Sequence, residues 1–331
     1  PADEGDQKMT TNTIHASHRL RIPTGTGHEL AVTVHVPSPA PEGPAVVAFG
    51  FPGGGMGRGY FDVEFDGAST YSQARFHTAR GWVFVAVDHL GVGESDPDEA
   101  GASYDVLAAA NASVVTRVLE GLRAGTLVPG LAAMAVRGSI GLGHSAGGCI
   151  SIVAQGNHAC FDALGVLGFS AIHTVIPTPT GTLDLELKDR DDRSAGLEAG
   201  IKAAGGVDVF RWAFHWEDVD PRIVDADMRP GRERTEAPPA WSSPTTPAVV
   251  FSMVTPGVVT TEAAAITAPV LVAAGERDVV PDLLAEAGAY TSCTDITLVE
   301  IPTMAHMHNM AGTRQLLWDR LHRWGTSILT A

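Results

Sequence analysis

Apolar residues in this chain gather in runs of six or seven, and that habit restricts the fold more than any other property. The runs are Ala45–Gly50 (AVVAFG), Trp82–Val87 (WVFVAV), Gly138–Gly143 (GSIGLG), Ala163–Phe169 (ALGVLGF), Pro269–Gly275 (PVLVAAG) and Ile296–Ile301 (ITLVEI). Most lack the polar alternation of a strand with one wet face, so they read as strands covered on both faces. Helix-length stretches separate them: 69–80, Tyr104–Ala124 and the segment after Ser145, with an amphipathic Gly312–Leu329 closing the chain. Strand–helix alternation of this kind predicts an α/β fold with a mostly parallel sheet between two helical layers. Two alternating stretches, His18–Ile22 and Leu30–Val36, precede it as an opening antiparallel pair.

The alternation fails between 172 and 266. This stretch carries charged clusters, a Pro-rich segment and an aromatic cluster. It reads as a cap inserted into a core formed by 9–171 and 267–331. The 331 residues suffice for such a core plus a smaller insertion, and 44 % hydrophobic residues argue against disorder. A net charge of −16 repels phosphate backbones and anionic bilayers, which excludes nucleic acid and disfavours membranes as partners. No apolar run reaches the roughly 18 residues of a spanning helix. The three cysteines, Cys149, Cys160 and Cys293, fit no metal or disulfide spacing and read as isolated thiols. Pro1–Lys8 is polar and acid-rich, unlike a signal peptide. It reads as an expression remnant ahead of a native start at Met9, so a cytoplasmic location is expected. Oligomeric state has no signature here.

Gly143-His144-Ser145-Ala146-Gly147 matches G-x-S-x-G, and it lies between an apolar strand and a helix. A serine on such a sharp turn is lifted out of the sheet edge at a helix N-terminus, and small flanking residues keep neighbouring chain clear of it. Ser145 is therefore the candidate nucleophile; the competing reading is a serine that only caps the helix. Acyl transfer also needs two donors aimed at the developing oxyanion. One is the N–H of Ala146. The other should come from the glycine-rich loop after the third strand, Gly50-Phe51-Pro52-Gly53-Gly54-Gly55. Phe51 N–H is the first choice, with Gly53 or Gly54 next.

An acid and then a histidine should follow. Asp278 sits just past PVLVAAG, at the carboxyl end of a strand, where open parallel sheets build their sites; Glu276 and Asp282 are its rivals. His306 follows the next strand and competes with His308 for the role of base. Ala305, a small residue at the tight point of that loop, favours His306.

The order Ser145, Asp278, His306, with the elbow GHSAG, the loop GFPGGG and the segment Asp88–Ser95 (DHLGVGES), resembles the α/β-hydrolase superfamily over residues 17–170 and 266–329. That resemblance implies an eight-stranded sheet, a lidded pocket and Ser-His-Asp roles for the three residues. Many relatives carry His-Gly before the oxyanion turn, whereas Phe49 stands here in place of that His. Gly-Phe-Pro is similar to epoxide hydrolases, but they and haloalkane dehalogenases need a carboxylate at the elbow. A further resemblance, carried by no motif, is to bacterial lactone hydrolases, including those that open zearalenone.

The expected chemistry is hydrolysis of a small-molecule ester or lactone through an acyl-enzyme, with no metal or organic cofactor. Rival uses of the same triad are peptidase, amidase, lyase or acyltransferase chemistry. A rival of another class is a small-molecule receptor with little turnover. In the cap, Phe210, Trp212, Phe214 and Trp216 form two i,i+4 pairs if helical. They either glue the cap down or line an apolar pocket, to which Met253, Met304 and Met307 could add wall.

Overall fold

The computed structural model describes residues 14–65, 67–184, 190, 207–228 and 239–330. The remnant read at 1–8, the start at Met9, and residues 185–189, 191–206 and 229–238 of the expected cap lie outside the described residues.

Strands β1 (Ile14–Pro23) and β2 (Glu29–Ser38) form the opening antiparallel hairpin, paired along their whole length. Then come β3 (Ala45–Phe51), β4 (Val83–Val87), β5 (Val136–His144), β6 (Ala163–Leu167), β7 (Val270–Arg277) and β8 (Ile296–Ala305). They build one eight-stranded sheet in the order β1-β2-β4-β3-β5-β6-β7-β8. From β4 to β8 every pair is parallel. Every residue of β3 and β4 is buried, as their continuous apolar character requires.

Alternation along these strands feeds two separate cores. Val47, Phe49, Val83 and Val85 face α2 (Tyr104–Ala124) and α3 (Ala146–His158), packing with Leu107, Val114, Val118, Ile150 and Val153. Val46, Ala48, Phe84 and Ala86 face the opposite layer, α1 (Gln73–Thr78) and the closing helix Arg314–Ile328, through Ala74, Leu317, Leu321 and Trp324. Ser103 caps α2 at its start, and Gly125, at φ 68°, ends it in the left-handed conformation that glycine adopts cheaply.

The exchange of β3 and β4 matters for function. It places β3 beside β5 with Gly50 opposite Leu142 and Phe51 opposite Gly143, so the glycine loop and the elbow leave the sheet side by side. His144 is level with Leu167 of β6, and Leu167's strand pairs with Ala273 of β7. The loops after β3, β5, β7 and β8 thus converge on one carboxyl edge, the place where open α/β sheets hold ligands.

Three expectations need correction. The helix expected over 69–80 begins only at Gln73, because Ala68–Tyr71 pairs with Val63–Phe65 as a small hairpin and Ser72 then caps the helix. The run 296–301 continues as strand to Ala305 through a bulge opposite Gly275 and Arg277, at which Thr303 takes φ 50°. The strand–helix alternation also leads one to expect a helix between β7 and β8, where the chain forms only the 3-10 turn Ala285–Ala289, since its short Gly-containing sequence cannot sustain more.

In the inserted stretch the described elements are a hairpin of Ile176–Thr178 with Gly181–Leu183, helix α4 (Val207–Phe214), helix α5 (Pro221–Asp227), a 3-10 turn Ala248–Phe251 and α6 (Thr260–Ala265). The closing helix is α7. α6 lies on α3 so closely that a β-carbon at Gly156 would fall 2.6 Å from Glu262 O.

Candidate active site

Ser145 sits at φ 53°, ψ −120°, a conformation that a residue with a β-carbon adopts only where its surroundings enforce it. Its N–H donates to Leu167 O at 2.8 Å, and its carbonyl accepts from Cys149 N, so both ends of the turn are held. Its side chain makes no capping hydrogen bond with α3. The hydroxyl is therefore not spent on the helix, and Ala146 opens α3 with an amide that has no intrahelical partner.

The flanking glycines are steric necessities. A β-carbon at Gly143 would lie 2.4 Å from Gly147 O, and one at Gly147 would lie 2.1 Å from Phe51 O. Both collisions are with backbone, which cannot rotate away. Gly147→Ala is expected to cost about 3 kcal/mol or more of stability and to push the Phe51–Pro52 backbone off the elbow. A variant melting with the parent in a thermal-unfolding experiment would contradict this packing.

Phe51 ends β3 with its side chain buried, stacked on His89 at 5.9 Å and set edge-on to Phe161. Two residues later the loop passes Ser145, where a β-carbon on Gly53 would lie 3.1 Å from Ser145 Cβ. His89, which sequence reasoning left without a role, holds this loop. Its Nε2–H donates to Pro52 O at 3.1 Å, while Asn111 donates to its Nδ1 at 3.2 Å. It thus supplies, from the loop after β4, an anchor that Phe49 cannot. The only signal was a histidine beside the Asp88 turn. That turn is itself rigid: Asp88 accepts from Arg58 and from Glu94 N, and Ser95 Oγ donates to Asp88 O at 2.8 Å.

Burial pushes His89 down to about 4, against the pull of its two hydrogen bonds and of Asp88. The folded protein keeps it neutral, while the unfolded chain takes up its proton near the ordinary value of 6.5. Its contribution to stability is complete above that value and is lost as pH falls toward about 4, at roughly 1.4 kcal/mol per pH unit. His89→Gln should therefore flatten the decline of melting temperature between these limits. An unchanged slope would show that this ring is not the group that senses acid.

Asp278 is buried and accepts four hydrogen bonds. Val279 N and His306 Nδ1 donate to Oδ1 at 2.7 Å each; Gly275 N and His308 Nε2 donate to Oδ2 at 2.9 and 2.6 Å. Burial alone would raise its pKa, but His308, His306 and their hydrogen bonds hold it well below the usual carboxylate range. The rivals lie elsewhere: Glu276 accepts from Thr303 N and Asp282 from Ala285 N, both exposed.

The two histidines differ in the nitrogen they present. His306 reaches Asp278 through Nδ1, which leaves Nε2 over; His308 reaches it through Nε2, and its Nδ1 is buried without a partner. His306 is fixed from three further sides. His144, the second residue of the elbow, donates Nε2–H to His306 O at 2.7 Å, Phe214 packs 4.8 Å from its ring, and a β-carbon on Gly168 would lie 3.1 Å from its Nδ1. Tyr60 stacks on the far face of His144 at 4.8 Å. Ser145, Asp278, His306 and His308 thus share one edge of the sheet. Ser145 Oγ makes no hydrogen bond to the His306 ring; such contacts in unliganded sites commonly tighten only with substrate.

The four aromatics between 210 and 216 divide. Phe214 lies against His306, with Phe210 edge-on to it at 5.2 Å. Trp212 and Trp216 instead bracket the guanidinium of Arg277 at 4.1 and 4.4 Å, because that cation, next to Asp278, is best desolvated between two aromatic faces. Met304 and Met307 are buried in the core cluster against which Phe210, Phe214 and Trp216 also pack; Met253 packs at the edge of the other core. The stretch 212–217 is further tied down by Met307 N to Phe214 O at 2.8 Å, Arg277 Nη1 to Glu217 at 2.7 Å and Arg277 Nη2 to His215 O at 2.8 Å. Arg277→Ala should loosen the segment 212–217, raising KM several-fold and speeding proteolysis there, because this one side chain makes the contacts with Trp212, His215 O, Trp216 and Glu217. Parent-like KM and cleavage kinetics would remove Arg277 as the latch.

Among the described residues no group of three or more His, Cys, Asp or Glu side chains is placed to hold a metal, and no helix is long and apolar enough to cross a membrane.

Sheet order, elbow and converging loops are those of the α/β-hydrolase fold, and the chain has that fold. It is similar to an esterase from Exiguobacterium antarcticum (15 % identity, 95 % of this chain and 100 % of that one, TM-score 0.62). It is also similar to a thermophilic esterase from Thermogutta terrifontis (16 %, 94 % and 99 %, TM-score 0.61). A third similar structure is Est816, an N-acyl homoserine lactone degrading enzyme (15 %, 92 % and 99 %, TM-score 0.58). The sequence matches no protein-family model and no curated protein.

Proposed function

We propose that this chain is a serine hydrolase that cleaves a carboxylic ester or lactone through an acyl-enzyme on Ser145. The observation that carries the reading is the conjunction, on one sheet edge, of a serine at φ 53° with an uncommitted hydroxyl and a buried imidazole–carboxylate pair. His306 takes the Ser145 proton at Nε2 as Oγ attacks the carbonyl carbon. Asp278 fixes the proton on His306 Nδ1 and stabilises the imidazolium. The N–H of Ala146 and one amide of the glycine loop, Phe51 or Gly53, bind the oxyanion. The alcohol leaves with the proton from His306, and water repeats the sequence to release the acid. In a lactone both products stay in one molecule. No step requires a metal or organic cofactor.

The substrate is apolar or aromatic: Phe214 stands against the imidazole with Phe210 edge-on behind it, and a net charge of −16 disfavours anions. Esterase and lactone-degrading structures on the same fold support the reaction class. A fluorophosphonate should label one peptide, that containing Ser145. A panel of p-nitrophenyl esters of rising acyl length, run beside small lactones and the macrocyclic lactone zearalenone, separates ester from lactone. Labelling at any other residue, or none, would remove the proposal.

A further inference from the structure

The described protein carries a second histidine on the same carboxylate, and nothing in the acyl-enzyme scheme uses it. We infer that His308 is a positioning residue, which donates Nε2–H to Asp278 Oδ2 and thereby aims Oδ1 at His306. The inference rests on the triad reading above.

The geometry begins in the backbone. Met307 takes φ −82°, ψ 71°, and His308 N donates to His306 O at 2.9 Å, which is an inverse γ-turn. That turn swings residues 306 and 308 to flank one carboxylate. His144 donates to the same His306 carbonyl from the elbow, so the turn is locked from two directions. Beyond it, Asn309 donates to Tyr60 O and accepts from Trp318 Nε1 at 2.8 Å, leaving His308 no freedom to swing away.

A carboxylate at a triad must be both charged and unable to rotate about its Cβ–Cγ bond. The amides of Gly275 and Val279 each hold one oxygen, but a single imidazole would leave the Oδ2 side short of a second donor in a dry site. His308 fills that place at 2.6 Å. It is not a reserve base, since its only other nitrogen, Nδ1, is buried and faces no partner. The titratable groups that face it are Asp278 from the β7 loop, His306 from its own loop and His144 from the elbow, at 5.0 Å between ring centroids, with Tyr60 behind them.

The test compares His308→Gln, whose amide can place a donor near the position of Nε2, with His308→Leu, which has none. Both are assayed with the ester that the parent turns over best. His308→Leu is expected to lose on the order of 10- to 100-fold in kcat with KM nearly unchanged, and to move the acid limb of its pH–rate profile. His308→Gln should recover most of both. Folding is checked first by near-ultraviolet circular dichroism; should His308→Leu not fold, His308→Asn, whose amide falls short of Oδ2, takes its place. A folded non-donor variant with parent kcat and profile overturns the inference. So does equal impairment of donor and non-donor variants, which would mean that only shape matters. Loss as deep as that of Ser145→Ala, with turnover retained by His306→Ala, also overturns it by making His308 the base. Activity persisting in Ser145→Ala would instead break the triad reading itself, and is read independently.

Discussion

Ser145→Ala is expected to fold as the parent does and to lose about four orders of magnitude or more in kcat. The fold should survive because the hydroxyl supports nothing: it caps no helix, and alanine keeps the β-carbon that the site already accommodates at φ 53°. Activity should collapse because no neighbouring group can replace the nucleophile. Cys149, one helical turn on, is buried, and burial pushes its thiol far up, away from the thiolate form. Any residual rate should come from the oxyanion donors and substrate binding, as when other triads lose a member. Steady-state kinetics with an activated ester, beside a thermal melt, checks both halves. Turnover near that of the parent would mean that the elbow is ornamental.

Much of this arrangement was legible in the chain because it depends on local chemistry. The buried strands announce themselves through unbroken apolar runs, and the elbow through glycines whose β-carbons would strike backbone. What could not be read depends on distant segments meeting. The fate of Trp212 and Trp216 was decided by Arg277, far downstream in the chain, which no helical periodicity reveals. His89 became the anchor of the glycine loop only because β4 lies beside β3 in space. His306 and His308 share a tripeptide, so composition cannot separate them. The difference between them is which ring nitrogen meets Asp278, a property of the turn at Met307. The helix expected from residue 69 failed for a similar reason, since Ala68–Tyr71 found a strand partner across a tight hairpin.

The second large effect belongs to Asp278, and its sign follows from counting donors. Both carboxylate oxygens accept, each from one backbone amide and one imidazole. Asp278→Asn replaces one acceptor by an NH2 group, which must then face a backbone N–H and an imidazole N–H. Placed on the His306 side, it forces that ring to carry its proton on Nε2, where it cannot accept one from Ser145. Placed on the His308 side, it drives a proton onto a buried nitrogen without a partner. The expected cost is about 10⁴-fold in kcat and on the order of 1–3 kcal/mol for each buried donor left unsatisfied. The stability difference from the parent should depend on pH. Asp278 is held well below its ordinary value of 3.8, so the unfolded chain takes up a proton that the folded carboxylate refuses. Its contribution is complete above about pH 4 and is lost as pH falls from there toward the depressed folded value. Chemical denaturation of parent and Asp278→Asn at successive pH values should show the gap between them closing below about pH 4. A gap that stays constant on acidification, or an Asp278→Asn enzyme that keeps its rate, would mean that this carboxylate neither carries its charge into the fold nor sets the tautomer of the base.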